Sequence, residues 1–223
     1  HQYVLATQPE MEFCSVTTLV GSYFEPFDEV EIATNLCSTH HKYIGIDPKD
    51  LIAKWHSVRD HGSKVHDEIE TYLKDGIEPA EPKADAALRW LEKYCMKSDI
   101  EIFPEVIVYS TELQVAGTID VLAYDRKNDY YEIIDWKTGK KIEKESFGGK
   151  MGIHPITSHL MDCKYNHYAM QLSFYRFLLE EFYDLKVHDQ MIAHLGETNC
   201  TSYLTPYYNN EISAILTELI KRN

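Results

Sequence analysis

Residues 130–141 read YYEIIDWKTGKK, and the fold follows from how that stretch ends. Tyr130 to Ile134 have the character of a buried strand, because β-branched and aromatic residues dominate and no Gly or Pro interrupts them. The strand closes on Asp135-Trp136-Lys137. Its carboxylate and ammonium stand two residues apart and so share one face. Just upstream, LQVAGTIDVLAYD (113–125) has the same strand texture and carries Asp120, with Asn128-Asp129 as turn residues between the two runs. If they pair as a hairpin, Asp120 and Asp135 approach each other at one sheet edge. Two carboxylates there repel unless a cation lies between them. Hard carboxylate oxygens suit Mg²⁺ or Mn²⁺, and Lys137 alongside suits an oxyanion or an attacking water. Gly117 allows a close backbone approach. A lone Asp is commonly a turn cap. A G-x-x-D, fourteen intervening residues and a D-x-K after an apolar strand form a far more specific pattern.

Outward from this pair, IEIFPEVIVYS (100–110) is a third strand-like run. VHDQMIAHL (187–195) and TSYLTPY (201–207) are two more. Ser15-Val16-Thr17-Thr18-Leu19 looks like a capped helix start. Asp47-Pro48 starts a long helix with proline at the first position, and Asp75-Gly76 stops it. Leu51, Ile52, Trp55, Val58, Val65, Ile69, Tyr72 and Leu73 keep its helical spacing. Further helices are expected over 84–97, 165–182 and 211–221. The polar segment 139–162 is too long for a turn and is expected to be a mobile or substrate-contacting loop. Helices, three strands, a helix, strands and a helix make an α/β chain with a mixed sheet.

Composition narrows the function. The 223 residues are 44% hydrophobic, enough for one domain spanning 1–223. Its 1–98 part is mainly helical and 99–223 form the αβ core. A net charge of −14 argues against a nucleic-acid coat protein but not against an enzyme with a local basic groove. No run of about 18 apolar residues predicts a membrane span, and the chain opens without a basic-then-apolar leader pattern. Cys14, Cys37, Cys95, Cys163 and Cys200 contain no C-x-x-C pair. They point to reduced thiols in an intracellular compartment, without separating cytoplasm, nucleus and mitochondrial matrix.

GTIDVLAYDRKNDYYEIIDWKTGK resembles the second and third motifs of the PD-(D/E)XK nucleases, particularly their RecB-like branch. Gly62-Ser-Lys-Val-His66 resembles that branch's helical G-x-x-x-H element, and Gln171-Leu-Ser-Phe-Tyr175 its Q-x-x-x-Y element. SVTTL at 15–19 resembles the Ser/Thr segment that opens these domains. The match runs in order from about Ser15 to Phe182, and IDWKT looks most like the mitochondrial genome-maintenance exonuclease and viral relatives.

The resemblance implies a restriction-endonuclease-like core, a central mixed β-sheet flanked by helices, with an N-terminal helical segment. It implies a Mg²⁺- or Mn²⁺-dependent deoxyribonuclease. The metal would be held by His66, Asp120, Asp135 and the Trp136 backbone carbonyl, with Lys137 positioning the attacking water. Gln171 and Tyr175 would meet the active-site lysine or the DNA backbone, although residues four apart on a helix could simply pair with each other. Glu105 fits the family's acidic residue in the first strand, or serves structure alone. Ser15 and Thr17 would touch substrate. Cys163 and Cys200 stand apart, so no iron–sulfur cluster is expected. The expected partner is DNA, single-stranded with a free end, alongside replication or recombination proteins and with no membrane. Competing functions are a flap endonuclease, a non-catalytic DNA-binding relative and a metal-binding interaction module. A polyanionic substrate must be reconciled with the acidic chain. Lys140, Lys141 and Lys144, beside Lys150 and Lys164, form the dense positive cluster near the site, either as phosphate ligands or as a solvated loop.

Overall fold

The computed structural model describes residues 3–222. In chain order they form β1 (Cys14–Ser15), α1 (Val16–Gly21), α2 (Glu29–Thr39), α3 (Pro48–Asp75) and α4 (Pro82–Cys95). Three strands follow: β2 (Ile100–Ser110), β3 (Val115–Asp125) and β4 (Tyr130–Lys137). The chain closes with α5 (Lys164–Phe182), β5 (Val187–Leu195), β6 (Cys200–Leu204) and α6 (Asn209–Arg222). Local chemistry sets the ends of α3. Asp47 accepts the Lys49 N–H at 2.8 Å, Pro48 opens the first turn, and Gly76 closes the helix in the left-handed region at φ 71°. Sequence reasoning passed over α2. Asp28 caps it through the N–H groups of Val30 and Glu31, but Ala33 alone among its residues is buried, so it has no apolar stripe to signal a helix.

The sheet is mixed, as the order of elements predicts. β3 lies antiparallel to β2 along its whole length. Its other edge is shared: β1 pairs in parallel with Val115–Ala116, and β4 pairs antiparallel with Val121–Asp125. Between those two contacts, Gly117–Asp120 have no strand neighbour on that edge among the described residues. Beyond β4, β5 is parallel and β6 antiparallel. α5 makes the crossover between the parallel pair, the connection such strands require.

Alternation along the strands splits the apolar residues between two layers. Ile134 and Trp136 of β4, with Val121, Ala123 and Ala193, pack under α3 and α4 against Val65, Ile69, Ala87 and Leu91. Ile133, with Ile119, Leu122 and Ile192, packs on the other face against α1, α5 and α6. Each fully buried aliphatic or aromatic side chain there contributes about 1.5–3 kcal/mol. Asp135 and Lys137 share Ile133's parity, so the alternation that buries Trp136 under α4 turns both charges toward α5.

The 139–162 segment is tied down more than its polar composition suggests. Thr157 is fully buried and donates to the Tyr23 carbonyl at 2.8 Å, and the Ile153 N–H reaches the same oxygen at 3.2 Å. Met151 and Met161 form a bridge across it. One threonine and a few backbone partners hold it against the end of α1, and such ties leave no periodic pattern in sequence.

Gly117 has a packing role. A Cβ there would lie 2.3 Å from the Tyr175 ring, and Tyr175 is itself buried on α5. The expected result of Gly117→Ala is a loss of roughly 1–3 kcal/mol of stability, the cost of overfilling a packed site. Thermal melts measure it. An unchanged melting temperature would show that Tyr175 yields freely and that the close approach is unimportant.

Candidate active site

The charged end of β4 is built by its neighbours. The β3–β4 ladder stops at Val121↔Ile134, and one more step in that register sets Asp120 opposite Asp135. There the Asp120 side chain replaces a strand carbonyl, its Oδ2 accepting the Trp136 N–H at 2.7 Å. The Trp136 indole lies in the opposite layer, edge-on to Trp90 at 5.8 Å, so this residue presents only backbone to the site. Lys137 Nζ sits 2.5 Å from Asp135 Oδ2 and 4.6 Å above the centre of the Tyr168 ring. Gln171 Nε2 donates to Asp135 Oδ1 at 3.4 Å and to the Tyr175 hydroxyl at 3.1 Å. The glutamine that the resemblance directs to the lysine or to DNA thus rests on the carboxylate and on Tyr175.

The other wall is α3. A Cβ on Gly62 would be 2.7 Å from Thr138 Oγ1, so a bare glycine lets this helix lie against the end of β4. One turn on, His66 Nδ1 stands 3.5 Å from Asp120 Oδ2. Glu105 of β2 falls between Pro104↔Val121 and Val106↔Ile119, level with Asp120, at φ 52°. A left-handed glutamate inside a strand is strained by about 1–3 kcal/mol, and such strain persists where the surroundings impose it.

One ligand atom from each of His66, Glu105 and Asp120 lies within 4.8 Å of the other two. An imidazole and two carboxylates at that spacing suit a divalent cation. Asp135 Oδ2 is buried beside this group and is held by the Lys137 ammonium at 2.5 Å. The donors present therefore fit a metal. The sequence-derived set had Asp135 as a ligand and left Glu105 open. In the structure Glu105 joins His66 and Asp120, while Asp135 faces Lys137.

Burial and mutual repulsion drive the two aspartates apart. Burial alone would raise both. For Asp120, the His66 ring, Lys137 and the Trp136 N–H outweigh it and hold the carboxyl below the usual range. For Asp135, burial and the Asp120 charge prevail over the opposing pull of Lys137, and its pKa is raised. Burial works against a charged His66, but Asp120 beside it lifts the imidazole above its ordinary value. Lys137 stays charged despite burial because Asp135, Asp120 and Tyr168 surround it. Burial first, then Asp120 and Glu70, pushes Glu105 up to about 7.

These groups line one cleft of ≈ 440 Å³, with Thr17 and Tyr168 also on its wall. Ser15 does not reach it. Its hydroxyl caps α1, accepting the Thr18 N–H at 3.0 Å. The lining extends along the chain to Gly139 but includes none of Lys140, Lys141 and Lys144. Lys144 lies over the Tyr165 and Tyr203 rings, each at 5.0 Å, and Lys141 is 3.7 Å from Glu143. Tyr168 was missed from sequence, although it precedes Gln171 by three residues and Tyr175 by seven, on the same helix face.

The raised Glu105 carboxyl has a definite consequence in metal-free protein. Its unfolded value is near 4.3. The folded chain binds that proton more tightly, so ionisation costs stability. The cost is absent below about pH 4, grows up to about 7 and is complete above. Glu105→Gln in EDTA should therefore gain on wild type steadily as pH rises from about 5 to about 8, as read by thermal melts. Parallel pH profiles for the two proteins would refute the buried, acid-crowded environment of this side chain.

Comparison with known proteins bears on the same residues. Residues 98–199 match the family model of the PD-(D/E)XK nuclease superfamily. That span holds β2–β5 and α5, and with them Glu105, Asp120, Asp135, Lys137, Gln171 and Tyr175. His66 lies outside it. No curated protein sequence matches the chain. Among solved structures, SSO0001 is similar at 14% identity and a TM-score of 0.39, covering 94% of this chain and 75% of its own. A provisionally assigned exonuclease from Eubacterium rectale is similar at 13% identity and a TM-score of 0.41, covering 97% of this chain and 80% of its own. Residues 98–199 are therefore similar to the PD-(D/E)XK nuclease superfamily over the stretch that holds most of the site, and the chain folds as a mixed α/β sheet flanked by helices.

Proposed function

We propose that this chain is a Mg²⁺- or Mn²⁺-dependent deoxyribonuclease of RecB-like type, hydrolysing DNA from single-stranded ends during replication, repair or recombination. The observation that carries it is the meeting of two groups of side chains in one cleft. His66, Glu105 and Asp120 lie close enough to share a cation, directly beside the Asp135–Lys137 pair. A divalent cation held there neutralises phosphate charge and acidifies water. The chain's own residues supply the rest. Asp135 and the face of Tyr168 fix the Lys137 ammonium at the strand end, where it faces negative charge developing on a phosphoryl group. Gln171 holds the Oδ1 side of Asp135, so that Oδ2 stays turned to the lysine. Tyr175 steadies Gln171 and is kept protonated by burial. Thr17 lines the entrance beside these groups. Lys140 and Lys141 follow directly on Gly139, and on this reading they meet DNA that leaves the cleft along this wall.

The decisive assay uses end-labelled linear and circular single strands with Mg²⁺, with Mn²⁺ and with EDTA. Linear strands should be shortened progressively when either metal is present, and circles should survive. Cleavage of circles at the same rate would replace the exonuclease with an endonuclease. Full activity in EDTA would overturn the metal assignment altogether.

Lys137→Met keeps most of the buried stem and removes the charge. Its turnover should fall by roughly 10²–10³, the usual loss for one preorganised charge-stabilising group. Circular dichroism checks that the sheet is retained. A folded variant with near-normal turnover would remove Lys137 from the chemistry.

A further inference from the structure

The cleft that must admit a polyanion carries five carboxylates on its lining: Asp67, Glu70, Glu105, Asp120 and Asp135. Two of its cationic groups are already engaged. Lys137 is held by Asp135 and the Tyr168 ring, and the His66 ring stands against Asp120. Among the described residues that line the cleft, this leaves Arg59. Its nearest carboxylate is Asp60, 3.7 Å from Nε, and both side chains are about two-thirds exposed or more. An ion pair so placed contributes little and is readily given up for a better partner.

The helix puts Arg59 in line with the site. Arg59, Ser63, His66 and Glu70 are spaced four, three and four residues apart, so they form one stripe on α3, and all four line the cleft. Seven residues separate Arg59 from His66, about 10 Å along the axis. That stripe is pressed onto the end of β4 through Gly62 and Thr138, so the distance is set by packing. A planar guanidinium with five donors matches a phosphate in bidentate geometry, which a lysine ammonium cannot do.

We propose that Arg59 is a substrate-binding residue. It clamps a phosphate flanking the scissile one and so sets which stretch of strand lies over the His66–Glu105–Asp120 cluster. This assignment rests on the nuclease activity proposed above. Arg59 supplies affinity and register, and Lys137 acts on the reacting phosphate.

The test is binding of a labelled single strand in Ca²⁺ across a salt series, followed by steady-state cleavage in Mg²⁺. Three variants are compared with wild type: Arg59→Ala, Arg59→Lys and Arg89→Ala. Arg89 pairs with Asp85 on α4 and does not line the cleft, so it controls for the bare loss of one positive charge. Arg59→Ala should bind roughly tenfold more weakly, as expected for a lost charge-assisted contact, with its salt slope reduced by about 0.7. KM should rise by more than kcat falls. Arg59→Lys should recover the salt slope but only part of the affinity, and Arg89→Ala should match wild type. Unchanged affinity and slope in Arg59→Ala, while wild type binds and cleaves, would overturn the clamp and leave the nuclease intact. Equal losses in Arg59→Ala and Arg89→Ala would also overturn it, by reducing the effect to net charge. A wild-type protein that neither binds nor cleaves the strand would defeat the functional reading itself.

Discussion

The hydrogen bond from the Trp136 N–H to Asp120 sits where two demands on the β3–β4 hairpin meet. A strand end must satisfy its backbone donors, and here the partner is a carboxylate. That choice fixes Asp120 to the backbone of β4. Among the described residues it also leaves the edge of β3 from Gly117 to Asp120 free of strand pairing, open to side chains from α3 and α5. His66 reaches Asp120 from one helix, and Gln171 reaches Asp135 from the other. An alanine at Asp120 would remove the acceptor for Trp136 as well as a metal-facing oxygen, so structure and chemistry are inseparable at this residue.

The surrounding packing makes these charges tolerable. A buried ion pair rarely stabilises a fold on its own, because desolvation consumes most of the attraction. Asp135 and Lys137 are nonetheless held at the strand end. The apolar residues of β4 anchor it on both faces, Ile133 under α5 and Ile134 with Trp136 under α4. The two cores therefore set the position of the pair, and the pair adds little to the cores. The same logic covers Glu105, whose left-handed backbone is imposed by pairing on either side of it in β2. Strain and buried charge gather at one point, which is where selection for activity would keep them.

What the sequence made legible follows from the range of the interactions involved. The hairpin and its facing aspartates rest on two-residue alternation and a turn, both local, and the register falls where the spacing places it. The α3 boundaries were written in Asp47-Pro48 and Gly76. Other features depend on contacts distant in sequence. α2 has little apolar face to betray it, and the 139–162 segment is held by Thr157 and Tyr23, 134 positions apart. The grouping of Glu105 with His66 and Asp120 requires β2 to be in register with β3 while α3 crosses above. No local pattern encodes that. The lysine-rich loop shows the reverse case: proximity in sequence to Lys137 suggested a cluster at the site, but Lys144 folds away onto Tyr165 and Tyr203.

The acidic balance of the chain then takes on a specific meaning. At physiological ionic strength, exposed charges more than about 8 Å apart are largely screened from each other. The net −14 therefore says little about the potential inside the cleft, where the two carboxylates nearest Asp120 and the Asp135–Lys137 pair dominate. A bound divalent cation would offset much of that local negative charge, and only then would a phosphate be admitted without severe repulsion. Metal and substrate would in this way depend on each other, each lowering the electrostatic cost of the other. With acids outnumbering bases over the chain as a whole, such a protein would grip its substrate chiefly around the cleft and would not coat it. That is the charge distribution expected of an enzyme that engages a strand locally.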